Sequence, residues 1–147
     1  MTDKISDAVA TIHVAASKDE VWNALTDPAI VKEYFLGTNL TTTWREGDPV
    51  TFAGEWNGKQ YQDKGVVVAN RPKELLRITH YSPLTGLPDV PENYHTVEYR
   101  LKEEAGGTEV TIVQGNNRSE SEAAESVQLW NMVLQNLKEL LEHSVRQ

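Results

Sequence analysis

Residues 123–141 read AAESVQLWNMVLQNLKELL, and this stretch sets the architecture. Ala123, Val127, Trp130, Leu134, Leu137 and Leu141 recur at spacings of 4, 3, 4, 3 and 4, which puts them on one stripe of a helix. Just upstream, Asn116-Asn117-Arg118-Ser119 reads as a loop and cap. Glu120, Glu122 and Glu125 follow in the first turns, where the helix dipole favours anions. The spacing predicts about seven turns of helix with one apolar face. That face needs a partner surface.

From about residue 38 to 114 the hydrophobic period is two, the mark of half-buried strands. Leu40–Trp44, Val50–Trp56, Tyr61–Ala69, Leu75–Tyr81, His95–Leu101 and Thr108–Gln114 each alternate. Turn chemistry separates them: Glu46-Gly47-Asp48-Pro49, Asn57-Gly58, Asn70-Arg71-Pro72-Lys73, a proline-rich loop Ser82–Asn93, and Ala105-Gly106-Gly107. Strands joined this way form an antiparallel meander. A further strand, Ala8–Ala15, begins the chain, with Ala8, Ala10, Ile12 and Val14 on one face. Ser17-Lys18-Asp19-Glu20 is a capping box that opens a short helix through Val21, Trp22 and Leu25. Asp27-Pro28 ends it and starts a second, through Ile30, Val31, Tyr34 and Phe35, which Gly37 stops. The order is strand, two short helices, six strands, long helix. The long helix alone can cover one face of such a sheet, so an α+β fold is expected, with a curved sheet of about seven strands wrapped around the C-terminal helix. Curvature should leave a gap between the two.

Composition narrows the function classes. The 147 residues fit one domain, 1–147, and 39% of them are hydrophobic, enough for a core and an enclosed cavity. Fourteen Lys and Arg against 22 Asp and Glu give a net charge of −8, which argues against nucleic-acid binding and adhesion to anionic membranes. The chain has no cysteine, which excludes disulfides, thiol catalysis and thiolate metal sites. No apolar run is long enough to span a bilayer, and residues 1–7 lack a signal-peptide pattern, so a cytoplasmic location is expected.

Several motifs in this order resemble the helix-grip superfamily, also called START-like, Bet v 1-like or SRPBCC. The branch they resemble is the one related to the C-terminal domain of the Hsp90 ATPase activator. Ser17, Val21-Trp22, Ala24-Leu25-Thr26-Asp27-Pro28 and Tyr34-Phe35 resemble its opening signature. Glu46-Gly47-Asp48 with Phe52, Gly65-Val66-Val67, and Arg71-Pro72 with Leu75 resemble its sheet. Gly107-Thr108-Glu109-Val110-Thr111-Ile112 resembles its last strand, and Trp130, Leu134 and Leu137 its closing helix, with Leu129-Trp130 standing where many relatives carry Gly-Trp. The resemblance runs from about Val9 to Leu141. It implies a helix-grip fold; Hsp90 activation is not expected, because the activator's separate N-terminal domain has no counterpart in these residues.

Four histidines, His13, His80, His95 and His143, lack metal-ligand spacing, so no metal and no cofactor is expected. His80 shares a face with Leu76 and Ile78, and His95 with Val97, Tyr99 and Leu101. Consecutive strands then bring both rings to one end of the gap, as rim residues or as weak candidates for acid/base catalysis. Gln114 points inward with Val110 and Ile112 and needs partners for its amide. Asp63 either faces in with Tyr61 and Val67 as a buried carboxylate or lies on the solvent face; Glu98 and Arg100 look like an exposed pair. Four Trp and five Tyr suit an apolar pocket with polar tips. The expected lining is Phe52, Trp56, Ile78, His80, Tyr99, Ile112, Gln114, Trp130 and Leu134. No nucleophile or phosphate motif is present. The expected function is binding of a small apolar or aromatic molecule, as monomer or homodimer. The alternatives are a cyclase- or aromatase-type enzyme and a chaperone-linked interaction module.

Overall fold

Period-two alternation produces strands β1 (Ala8–Val14), β2 (Asn39–Thr42), β3 (Pro49–Trp56), β4 (Lys59–Arg71), β5 (Leu75–His80), β6 (His95–Glu104) and β7 (Gly107–Gly115). The structure, a computed structural model, describes residues 5–56 and 58–145, without the side chains of residues 56, 144 and 145. The strands form a seven-stranded sheet in the order β1-β7-β6-β5-β4-β3-β2, every described pair antiparallel. Helices α1 (Lys18–Thr26) and α2 (Pro28–Tyr34) follow β1, and α3 (Glu120–Val145) closes the chain. The expected α+β helix-grip architecture is thus observed.

The local signals act as read. Ser17 Oγ accepts the Glu20 backbone N–H at 3.2 Å, and Asp27 caps α2 through the Ala29 N–H at 3.0 Å with Pro28 in the first turn. Trp56 pairs with Lys59, and Gly58 takes φ 78°, as a two-residue hairpin requires; Asn57 lies outside the described residues. Trp44 departs from expectation. It leaves the strand at φ 65°, because the Thr42 hydroxyl accepts its backbone N–H and its indole N–H reaches the Thr26 carbonyl at 2.7 Å.

The stripe on α3 buries Ala123, Trp130, Leu134, Leu137 and Leu141, joined by Val133. Burying these side chains is worth roughly 1.5–3 kcal/mol each before the entropy of ordering them is subtracted. The helix packs chiefly against β1, at one side of the sheet. Beyond that side the sheet curls away, and α2 covers its other edge through β2. The uncovered middle is where a cavity forms.

On the opposite face of the sheet the expected exposed pair is corrected. Glu98 is only 6% exposed, held between Arg77, whose Nε donates at 2.7 Å, and Arg100. Register explains it: Arg77 stands directly across from Glu98 on β5, so two guanidinium groups cover one carboxylate. Burial alone would raise this carboxyl, but the hydrogen bonds and charges of both arginines outweigh it and hold it below the ordinary 4.5. The unfolded chain therefore takes up this proton first. The stabilisation is complete above pH 4.5 and is lost as pH falls from there through the folded value. Urea midpoints compared at about pH 6 and about pH 3 should fall further for the wild type than for Glu98→Gln; equal falls would show that the pair contributes nothing.

Candidate functional site

The inward residues of β3 to β7, the end of α2 and the middle of α3 enclose a cavity of about 300 Å³. Its walls are mostly rings and branched chains: Phe35, Phe52, Tyr61, Tyr99 and Trp130, with Ile78 and Val97 as floor. Leu36, Leu84 and Leu129 also border it and are exposed, which marks the mouth. Thr38, Glu55, Asp63, His80 and Gln114 supply the polar surface. Among the described residues no Lys or Arg lines it.

One wall is braced from behind. Gln114 accepts the Trp130 indole N–H at 2.9 Å and donates to Asn117 Oδ1 at 2.9 Å and Ser126 Oγ at 2.8 Å. Its amide hydrogens and carbonyl are all engaged, so the residue fixes Trp130 in place and is not an open anchor. The Trp130 ring then meets Phe35 and Tyr99 edge-on, at centroid distances of 5.5 and 6.2 Å. Tyr99 makes no hydrogen bond through its hydroxyl among the described residues, and burial pushes its phenol far above the usual 10. It remains a neutral O–H donor.

Further along the same face of β5 and β6 stand the histidines. His80 and His95 are directly paired across β5 and β6, their rings stacked at 6.5 Å. Each has a carboxylate partner. His80 Nε2 lies 2.9 Å from Asp63 Oδ2, and His95 Nε2 lies 3.1 Å from Glu122 Oε1. Burial tends to raise the Glu122 carboxyl, but the Arg118 backbone N–H, His95 and the Arg118 charge hold it below the usual range. Glu122 thus ties β6 to the first turn of α3. Only His80 of the two borders the cavity. The second oxygen of Asp63 is buried without a partner among the described residues, a costly placement for a carboxylate. Beside this pair, the Tyr61 and Thr38 hydroxyls share a 2.9 Å bond, with Tyr61 lying over Gly54, where a Cβ would come within 2.6 Å of the phenol oxygen.

Of the residues expected to line the gap, Phe52, Ile78, His80, Tyr99, Gln114 and Trp130 come together around it. Ile112 and Leu134 are 1% exposed and belong to the core, because α3 lies close to the β1–β7 side where both sit. The side chain of Trp56 lies outside the described residues. Asp63 faces inward, the first of its two readings. Tyr61, Val97 and Asp63 follow the inward alternation, which is a signal the sequence carries; Phe35, Leu36, Thr38 and Leu84 come from loops and a helix end and carry none, and Leu129 lies within α3 but off its apolar stripe. Among the described residues no three His, Asp or Glu side chains gather as a metal site, and no helix is long and apolar enough to cross a membrane.

A curved antiparallel sheet closed by one long helix over an apolar cavity is the helix-grip arrangement of SRPBCC, or Bet v 1-like, proteins. The chain belongs to the family described as Activator of Hsp90 ATPase homolog 1-like protein, whose model matches residues 15–142. Among solved structures, ChR145 from Cytophaga hutchinsonii is 40% identical with a TM-score of 0.86, covering 99% of this chain and 100% of its own. CalU16 from Micromonospora echinospora is 27% identical with a TM-score of 0.70, covering 92% of this chain and 73% of its own. The Aha1 dimer from Colwellia psychrerythraea, 18% identical with a TM-score of 0.74 over 94% of this chain and 97% of its own, shares the fold and is a dimer. No curated protein matches the chain significantly.

Proposed function

We propose that the chain binds a small apolar or aromatic molecule in this cavity. The observation that carries the reading is a volume of about 300 Å³ walled by aromatic rings and bordered by Tyr99, whose hydroxyl has no partner among the described residues. This is the small end of the range for ligand sites, roughly 300–1,000 Å³. Glu55 and Asp63 border the space, and among the described residues no Lys or Arg does, so an anionic head group is disfavoured.

Thermal melts with neutral aromatic probes test it. A probe at a hundredfold excess over Kd adds about 2.7 kcal/mol to the folded state. Val97→Phe places a ring in the cavity from the floor of the sheet. It should change stability by less than about 1 kcal/mol, since space is available for it, and should abolish the probe's shift. A large loss of stability with no probe binding to the wild type would mean the space is closed core.

A second reading, a cyclase- or aromatase-type enzyme, is favoured by the Asp63–His80 pair at the cavity wall, with His80 as the acid/base and Asp63 orienting it. It requires turnover of a bound substrate that fails in His80→Gln while binding persists.

A further inference from the structure

His80 is the one ring on the cavity wall whose hydrogen-bonding sense is dictated by its neighbour. An ionised carboxylate can only accept, so Asp63 Oδ2 at 2.9 Å requires Nε2 of His80 to carry a hydrogen. In the neutral imidazole that leaves Nδ1 as a bare lone pair. Among the described residues no group donates to this nitrogen, although the ring borders the cavity beside Phe52, 5.4 Å away edge-on. Of the neighbouring polar groups, Tyr61 and Thr38 share one hydrogen bond, and Gln114 is held by Trp130. Nδ1 of His80 is thus an open acceptor, set in an aromatic wall with carboxylates nearby. Such a position rewards a ligand that brings a donor and no negative charge.

We propose that the site recognises a neutral phenol, its ring among the aromatic side chains and its O–H bound to Nδ1 of His80, with Asp63 as a positioning residue that keeps Nδ1 an acceptor. The proposal rests on the reading that the cavity binds an apolar molecule and adds the chemistry of its head group.

Three two-ring probes of one shape separate the possibilities on the full chain: 2-naphthol, which donates; 2-methoxynaphthalene, which cannot; and 2-naphthoate, which is anionic. A buried neutral hydrogen bond of ordinary strength predicts that 2-naphthol binds up to about tenfold tighter than the ether, with the naphthoate weakest. Donation to the imidazole should also red-shift the bound naphthol's absorption. His80→Phe should bring the naphthol and the ether to equal affinity and remove the red shift. In Asp63→Asn the side-chain amide can donate to Nε2 and turn Nδ1 into a donor, so the preference should shrink or reverse toward the ether, an effect that simple loosening of the wall would not produce. Equal binding of naphthol and ether to the wild type overturns the proposal without any variant, as does a naphthol preference that survives His80→Phe. If neither neutral probe binds the wild type, the reading of the cavity as a binding site falls and the phenol proposal with it.

Discussion

Trp130→Ala is expected to lower the free energy of unfolding by about 3–5 kcal/mol, the range for removing a buried Trp. The ring is 6% exposed, packs edge-on to Phe35 and Tyr99, and gives its indole hydrogen to Gln114. Deleting it widens an existing cavity and orphans the Gln114 carbonyl, and neither change can be relieved by collapse, because α3 is pinned on the sheet by Leu134 and Leu137. Trp130→Phe separates the two losses: it keeps most of the apolar volume and removes the hydrogen bond, for about 1–3 kcal/mol. Guanidinium melts measure both. A loss below about 1 kcal/mol in Trp130→Ala would show that the indole is wall lining with no structural role.

Gly65→Ala should be almost as damaging, about 3 kcal/mol, for a reason unrelated to packing volume. A Cβ at position 65 would lie 1.7 Å from the Thr79 carbonyl oxygen and 2.5 Å from its carbon, both backbone atoms that cannot rotate aside. Strands β4 and β5 would have to part just where the Lys64–Tyr81 bridge and the Val67–Ile78 pair hold them. Asp63 and His80 sit on these two strands, so the 2.9 Å contact between them should loosen as well. The measurement is a denaturant melt together with the His80 ring resonances; an unchanged midpoint would show that the close approach is not required.

Much of the fold was legible because its signals are local. The capping box at Ser17, the Asp27-Pro28 junction, the hairpin at Gly58 and the stripe on α3 each depend on residues a few positions apart, and each forms as read. The cavity was legible only along the strands, where alternation brings Phe52, Ile78 and Tyr99 to one face. What sequence could not supply was the offset of α3 toward β1, a matter of how far the sheet curls. That offset moves Ile112 and Leu134 into the core and admits Leu36, Leu84 and Leu129 to the mouth. The Glu98 misreading has a similar origin. A carboxylate on the outer face of a sheet reads as solvated until the register places Arg77 opposite it.

The bracing of Trp130 by Gln114 has a consequence for what the cavity can measure. At that end the wall is a ring that cannot swing, tied through Gln114 to Asn117 and Ser126 on the far side. At the mouth stand Leu36, Leu84 and Leu129, whose exposed side chains have room to change rotamer. The space thus works as a gauge with one fixed jaw and one sliding jaw. A single methyl added to a guest where it abuts the indole would be felt in full, whereas a tail trailing past the leucines would pass almost unread, so selectivity belongs to the part of the guest that meets the indole.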